Sequence, residues 1–350
     1  MPNLILIGGG HSHAIALQLL GQNPIPGVNL TLISDVEQTP YSGMLPGHVA
    51  GFYRYEETHI NLSSLAKFAG AKLYIDRAIG LDLEQNKVIC EHHSAIAFDY
   101  LSIDIGSTPA TISVPGAKEY AIPAKPVPQF LATWLNILEI AKNNPEKSLI
   151  FTIVGGGAGG VELALNMHHR LSKEKGINNN YQFNLVHRGD RLLTNHNNWV
   201  SHRLEKILRQ RDIKLYLEET VTEVLLNKVK CKSGLAIESN YTFWVTQASA
   251  PNWLKQSQLA TDEKGFILVK DTLQSLSHPH IFAAGDIATM VNYHRPKAGV
   301  FAVRQGKPLL ENWRRIIAGK SLQDYTPVSY THLTLPTTCR VCRSRWSPYH

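Results

Sequence analysis

Two short, almost wholly apolar runs in this chain end in three consecutive glycines. Leu4-Ile5-Leu6-Ile7 leads into Gly8-Gly9-Gly10, and Ile150-Phe151-Thr152-Ile153-Val154 leads into Gly155-Gly156-Gly157. A continuous apolar run of this length, with no alternation, reads as a strand buried on both faces, as in a parallel sheet. Helical spacing follows each triplet. Ile15, Leu17 and Leu20 precede a stop at Gly21, and Val161-Glu162-Leu163-Ala164 follows Gly160 directly. Both sites therefore predict a strand, a tight glycine turn and a helix.

The pattern repeats beyond the glycines. Lys72-Leu73-Tyr74-Ile75-Asp76 answers Lys214-Leu215-Tyr216-Leu217-Glu218 at an offset of 142, and Gly106-Ser107-Thr108-Pro109 answers Ala248-Ser249-Ala250-Pro251 at the same offset. Cys90 and Cys231 are 141 apart and lie in short β-type runs, Val88-Ile89-Cys90 and Val229-Lys230-Cys231. Each half reads as βαβ, a small antiparallel meander and a return strand. A third block, with Phe266-Ile267-Leu268-Val269 and His280-Ile281-Phe282-Ala283-Ala284-Gly285-Asp286, has no βαβ of its own and is expected to complete an earlier sheet. The predicted fold class is α/β: two Rossmann-like dinucleotide-binding domains, the second inserted into the first. The boundaries predicted are residues 1–120 plus 260–327 for the first domain and 121–259 for the second.

Length and composition agree with this layout. A chain of 350 residues, 43% hydrophobic and 18% charged, has room for two ordinary globular cores. No apolar run reaches the roughly 18 residues that span a membrane. The first strand starts at Asn3 or Leu4, which leaves no space for a targeting peptide and predicts a cytoplasmic protein. Four cysteines are too few and too scattered for a disulfide framework. The stretch 328–350 breaks the α/β rhythm, and its first ten residues are similar to a translated sequencing adaptor. It is expected to be a non-native read-through tail. Without its three arginines the net charge of +7 falls to +4, which gives no reason to expect a nucleic-acid partner. Cys339 and Cys342 within it have no second ligand pair, so no metal site is predicted there.

Glycine turns at these places let the backbone approach a pyrophosphate, whose charge rests on the following helix N-terminus. The first turn is Gly8-x-Gly10-x-x-His13-Ala14, with His13 where a third glycine is usual. Its second strand ends at Ser34, where an acid for ribose hydroxyls is usual, and Asp35 follows either as a ribose ligand or as a solvated turn residue. The second turn, Gly155-x-Gly157-x-x-Gly160, is complete, and its second strand ends at His187-Arg188. Arg188 is either a partner for a 2′-phosphate, which favours NADPH, or an exposed strand-end residue. Two such turns imply two nucleotides side by side, an arrangement that suits a flavin reduced by a nicotinamide.

Together with Gly106-Ser107-Thr108-Pro109 and Ile281-Phe282-Ala283-Ala284-Gly285-Asp286, the turns resemble the two-dinucleotide-binding-domain flavoproteins of the pyridine nucleotide–disulfide oxidoreductase superfamily. The resemblance covers residues 1 to about 327 and implies FAD in the first domain and NAD(P)H in the second. Gly8, Gly10, His11, Asp35, Pro40 and Tyr41 would serve FAD. So would Gly106 and the Gly285-Asp286 turn, at the ribityl and pyrophosphate region. Arg304 and Gln305 would begin a helix aimed at the flavin. Gly155, Gly157, Gly160, His187 and Arg188 would hold the nicotinamide nucleotide, with Glu162 near the meeting of the two rings. Lys125 is either a positive charge beside the flavin's pyrimidine end or a surface linker residue.

Where disulfide reductases of the superfamily carry a cysteine pair, the chain reads Thr39-Pro40-Tyr41-Ser42-Gly43-Met44-Leu45-Pro46-Gly47. Disulfide reduction and sulfide oxidation are therefore not expected. What remains is similar to type II NADH:quinone oxidoreductases. Gly8 to Ala14, Pro40 to Gly47 and Val303-Arg304-Gln305-Gly306 look most like the NADH dehydrogenase-like module fused ahead of selenophosphate synthetase in some bacteria. Hydride transfer from nicotinamide to flavin N5, then delivery to a small non-disulfide acceptor such as a quinone, is the activity implied. The other reading is a flavin-binding redox or regulatory module serving such a fused enzyme. Sixteen histidines lie scattered without carboxylate or cysteine partners and predict no metal. Arg203 to Arg211 reads as the solvated face of an amphipathic helix.

Overall fold

The computed structural model describes residues 1–41, 43–109, 114–178, 180–194, 196–246 and 248–328. The expected tail, with Cys339 and Cys342, lies outside the described residues apart from Val328. The chain runs through β1 (Asn3–Ile7), α1 (His11–Gln22), β2 (Asn29–Ser34), β3 (Lys72–Ile75) and β4 (Tyr100–Ile103). It continues through β5 (Ala121–Pro123), α2 (Val127–Asn143), β6 (Leu149–Val154), α3 (Ala158–Lys173), β7 (Tyr181–Val186), α4 (Asn198–Gln210), β8 (Lys214–Tyr216) and β9 (Tyr241–Trp244). Last come β10 (Ile281–Ala283) and α5 (Gly299–Ile317).

These elements fall into two compact units, the first made of Met1–Gly43, His59–Thr108 and the chain from Ala248 on, the second of Met44–Thr58 and Pro109–Gln247. The fold is α/β. In the first unit five parallel strands lie in the order β10-β4-β1-β2-β3. Leu4, Leu6, Leu32, Leu101, Ile103 and Phe282 are fully buried, as strands covered on both faces require. β10 pairs with β4 in register, Ile281 opposite Leu101 and Ala283 opposite Ile103, so the C-terminal block does complete the first sheet.

The second unit repeats the order as β5-β9-β6-β7-β8. Its core stacks aromatic rings on adjacent strands, Phe151 against Phe183 at 4.8 Å and against Tyr241 at 5.6 Å. Such pairs contribute about 0.5–1.5 kcal/mol beyond burial. Each unit also carries a three-stranded antiparallel meander, Ala78–Asp82, Lys87–Cys90 and Ile96–Ala97 in one, Val221–Leu225, Lys228–Cys231 and Ala236–Glu238 in the other. Both show a bulge near the start of the first strand, between Ala78 and Gly80 and between Val221 and Glu223.

The chain divides differently from the sequence reading in two respects. The crossings fall at Thr108–Pro109 and Gln247–Ala248, not at residues 120 and 260, because Thr108 and Ser249 are tied together, Thr108 Oγ1 donating to the Ser249 carbonyl at 3.0 Å. Residues 44–58 belong to the second unit, although they fall within the 1–120 expected to be the first domain. Val49 is buried in the second core, and the Trp134 indole N–H on α2 donates to its carbonyl at 3.3 Å. In α4, Leu204 and Leu208 are buried while Arg203 and Arg209 are exposed, the amphipathic pattern expected of that stretch.

Candidate cofactor-binding turns

In the first turn Gly8 takes φ +91°, a region that L side chains rarely adopt, and donates its N–H to the Ile33 carbonyl at 2.8 Å. α1 starts after Gly10, which offers its helix no side-chain cap. The cap comes instead from the end of β4. Asp104 Oδ2 accepts from the backbone N–H of Ser12 at 2.8 Å and of His13 at 3.2 Å, satisfying two amides that the helix cannot pair itself. A Cβ on Gly10, or on Gly285, would strike this carboxylate, so both turns close directly onto it. Burial pushes the Asp104 pKa up to about 7, with the two amides acting against the rise and Asp286 adding to it.

His13 is fully buried. Its Nδ1 lies 2.7 Å from the Gly8 carbonyl and its Nε2 2.8 Å from Ser102 Oγ. A carbonyl only accepts, so Nδ1 carries the proton and Nε2 accepts from the serine. Burial lowers the ring's pKa to about 4. The residue standing for the third glycine is thus a neutral strut joining the turn, α1 and β4.

His11, the first residue of α1, lies with its ring 4.4 Å from that of Tyr41. Burial lowers its pKa to about 4 against the opposing charge of Asp286, and its Nε2 is buried with no hydrogen-bond partner among the described residues. Asp286 lies in the tight turn Gly285–Ile287, where Ser107 Oγ donates to its Oδ2 at 3.4 Å. Gly106 has φ +69° with open space around it, and Pro40 ends a short strand, Gln38–Pro40, opposite His59. Asp35 stands apart. It is exposed and 3.9 Å from the Arg77 guanidinium. α5 begins at Gly299 rather than at Arg304, and Arg304 is exposed in its second turn. Its neighbour Gln305 is buried and accepts the Gly285 N–H on Oε1 at 2.7 Å.

In the second turn Gly155 has φ +128°, and a Cβ there would meet the Val245 carbonyl at 2.7 Å. A Cβ on Gly160 would strike the Gly155 carbonyl, which is the close helix–strand approach a third glycine permits. Gly157, the N-cap of α3, opens onto empty space. The Gly156 N–H donates to His187 Nδ1 at 3.2 Å, which leaves the proton on Nε2. That Nε2 is buried, and the Arg191 backbone lies within reach of the ring. Arg188 is exposed beyond β7, Glu162 is half-buried in α3, and Lys125 is half-buried in the segment between β5 and α2. Each unit thus sets a glycine turn and a helix N-terminus beside a buried imidazole nitrogen, a donor set that fits a dinucleotide. Leaving the His11 nitrogen unsatisfied costs about 1–3 kcal/mol, which a polar ligand would offset.

Residues 2–306 match the family described as pyridine nucleotide-disulphide oxidoreductase. The chain belongs to that family. Among its relatives is the NADH dehydrogenase-like protein YutJ of Bacillus subtilis, 22% identical over 329 residues that take in 93% of this chain and 87% of the relative. The type II NADH:quinone oxidoreductase of Haemophilus influenzae is 26% identical over 256 residues, 61% of this chain and 58% of that protein. In fold the chain is similar to the sulfide:quinone oxidoreductase of Aquifex aeolicus, with a TM-score of 0.75, 20% identity and coverage of 91% of this chain and 78% of the other.

As an oxidoreductase of this family, the chain has no cysteine where a redox pair would stand. Cys90 and Cys231 are free, buried and in separate meanders, and burial followed by Glu219 pushes the Cys231 thiol up to about 11. Neither sits in the electropositive, accessible setting that makes a thiol reactive. No described helix is long and apolar enough to cross a membrane. Sequence reasoning missed Asp104 and Lys297. Asp104 left one trace, an acid closing the apolar run Leu101-Ser102-Ile103. Lys297 left none. It donates to the Ala288 carbonyl at 2.5 Å and to Thr289 Oγ1 at 2.9 Å, and burial lowers its pKa to about 8 with Asp286 opposing.

Proposed function

We propose that the chain is an FAD-dependent NAD(P)H dehydrogenase that passes electrons to a small non-disulfide acceptor, a quinone. The observation that carries this reading is the doubled site: two glycine turns, each at a helix N-terminus and beside a buried ring nitrogen, in a family member without a cysteine pair. The first unit is read as the FAD site, because its glycine turn and the Gly285-Asp286 turn both close onto Asp104. When bound, the flavin supplies the hydride acceptor and the onward electron transfer. The residues provide the rest. The first glycine turn and the His11 ring bind the pyrophosphate region, Tyr41 holds the His11 ring in place, and Asp286 accepts hydrogen bonds from ligand hydroxyls.

In the second unit Gly155, Gly157 and Gly160 shape the turn for the nicotinamide nucleotide, and the His187 N–H donates to it. Glu162 orients the nicotinamide end. Arg188 selects a 2′-phosphate and so favours NADPH. The likeness to the type II NADH:quinone oxidoreductase of Haemophilus influenzae supports a quinone as acceptor. The experiment is steady-state turnover of FAD-loaded protein with NADH or NADPH and a soluble quinone. Quinone reduction, with Arg188→Ser raising KM for NADPH about tenfold and leaving NADH unchanged, is the expected result, one charge-assisted contact having been lost. Absence of quinone reduction by either nucleotide would remove the acceptor assignment.

A further inference from the structure

Asp104 is a buried carboxyl group beside the place in the first unit where the glycine turn would meet a dinucleotide's negative charge. It occupies amides at the start of α1, Ser12 N–H at 2.8 Å and His13 N–H at 3.2 Å, that a helix N-terminus ordinarily offers to an anion. The Gly10 and Gly285 turns both close onto it, leaving no room for a Cβ on either. The described titratable groups around it are His11 and His13 on α1, both neutral in the fold, and Asp286 on the Gly285–Ile287 turn. From α5 come no charges but the Ala302 carbonyl, which accepts from Ser12 Oγ at 2.8 Å, and the Gln305 amide holding Gly285. Lys297 faces Asp286 rather than Asp104. Among the described residues no cation neutralises this carboxylate, and a pyrophosphate brought to the turn would add negative charge to a site already holding two acids.

We propose that Asp104 is a positioning residue of the flavin-nucleotide site, clamping the first glycine turn to the Gly285 turn and taking up one proton when the pyrophosphate binds. This rests on reading the first unit as the FAD site. Burial holds the carboxyl's pKa at about 7, so near neutrality it exchanges between a charged cap and a neutral one. The nucleotide binds the neutral form, and the proton comes from solvent. As a carboxylic acid the group keeps its C=O as acceptor for the helix amides, so the clamp survives protonation.

The test is FAD affinity of the full-length apoprotein, followed by quenching of flavin fluorescence. For the wild type, Kd should rise about tenfold between pH 6 and pH 8, as expected for one linked proton. Calorimetry in two buffers of different ionisation enthalpy should show uptake of close to one proton at the upper pH. Asp104→Asn should flatten the profile and bind FAD about tenfold more tightly than the wild type at pH 8 while matching it at pH 6. A merely structural role would weaken the variant at every pH. Asp104→Ser gives the same flat profile and serves if the asparagine variant does not fold. FAD binding without proton uptake in the wild type, or a slope that survives in either variant, overturns the proposal. Absence of FAD binding at any pH overturns the flavin reading with it.

Discussion

Three ionisable side chains share the first glycine turn, and their titrations oppose one another. His11 and His13 have folded pKa values near 4, below the ordinary histidine value of 6.5. Their contribution to stability is therefore present above pH 6.5 and is lost as the pH falls towards 4. Asp104 runs the other way. Its folded value of about 7 lies above the ordinary 3.8, so its contribution is full below 3.8 and is lost as the pH rises towards 7. Between pH 4 and 6.5 each histidine changes stability by about 1.4 kcal/mol per pH unit. His13→Gln should remove one such increment from the slope, as read by urea unfolding at pH 4.5 and 6, with a lower stability throughout from the lost contacts to Gly8 and Ser102. An unchanged slope would mean His13 is not held neutral in the fold. In the second turn, Gly160→Ala would drive a methyl group into the Gly155 carbonyl. It should cost about 1–3 kcal/mol and weaken nicotinamide-nucleotide binding, measurable by calorimetric titration.

At the scale of elements, much was legible because the signals are local. An apolar run ended by glycines, followed by helical spacing, locates β1–α1 and β6–α3 from a few adjacent residues. The 142-residue repeat then places the meanders and return strands. What escaped depends on contacts distant in sequence. Asp104 caps a helix some ninety residues before it, His13 bonds to Ser102, and Gln305 rather than Arg304 reaches the Gly285 turn. Glycine and histidine at those positions carry no mark of the partner that chain folding brings to them. Residues 44–58 escaped for a related reason. Their helices are too short for periodicity, and their place in the second unit is set by Val49 and Trp134. Trp134→Ala should cost about 3–5 kcal/mol by opening a cavity in that core. Limited proteolysis should then cut within residues 44–58 well before it cuts β1 or β4. Equal cleavage rates would show that the tryptophan does not anchor the segment.

For the whole molecule, the two units repeat one strand order and one kind of turn, yet they are not equivalent. The second keeps all three glycines and ends its second strand in His187-Arg188. The first replaces a glycine with a buried histidine strut, caps its helix from β4 and adds the Gly285-Asp286 turn. That asymmetry is the reason for assigning FAD to the first unit and the nicotinamide nucleotide to the second. The most direct measurement is an anaerobic titration of FAD-reconstituted protein with NADPH and with NADH, followed in the visible flavin band. The account predicts a yellow protein, with one FAD retained per chain, bleached by one equivalent of nucleotide and recoloured by a quinone. Protein that stays colourless after reconstitution, or yellow protein that neither nucleotide bleaches, would contradict it.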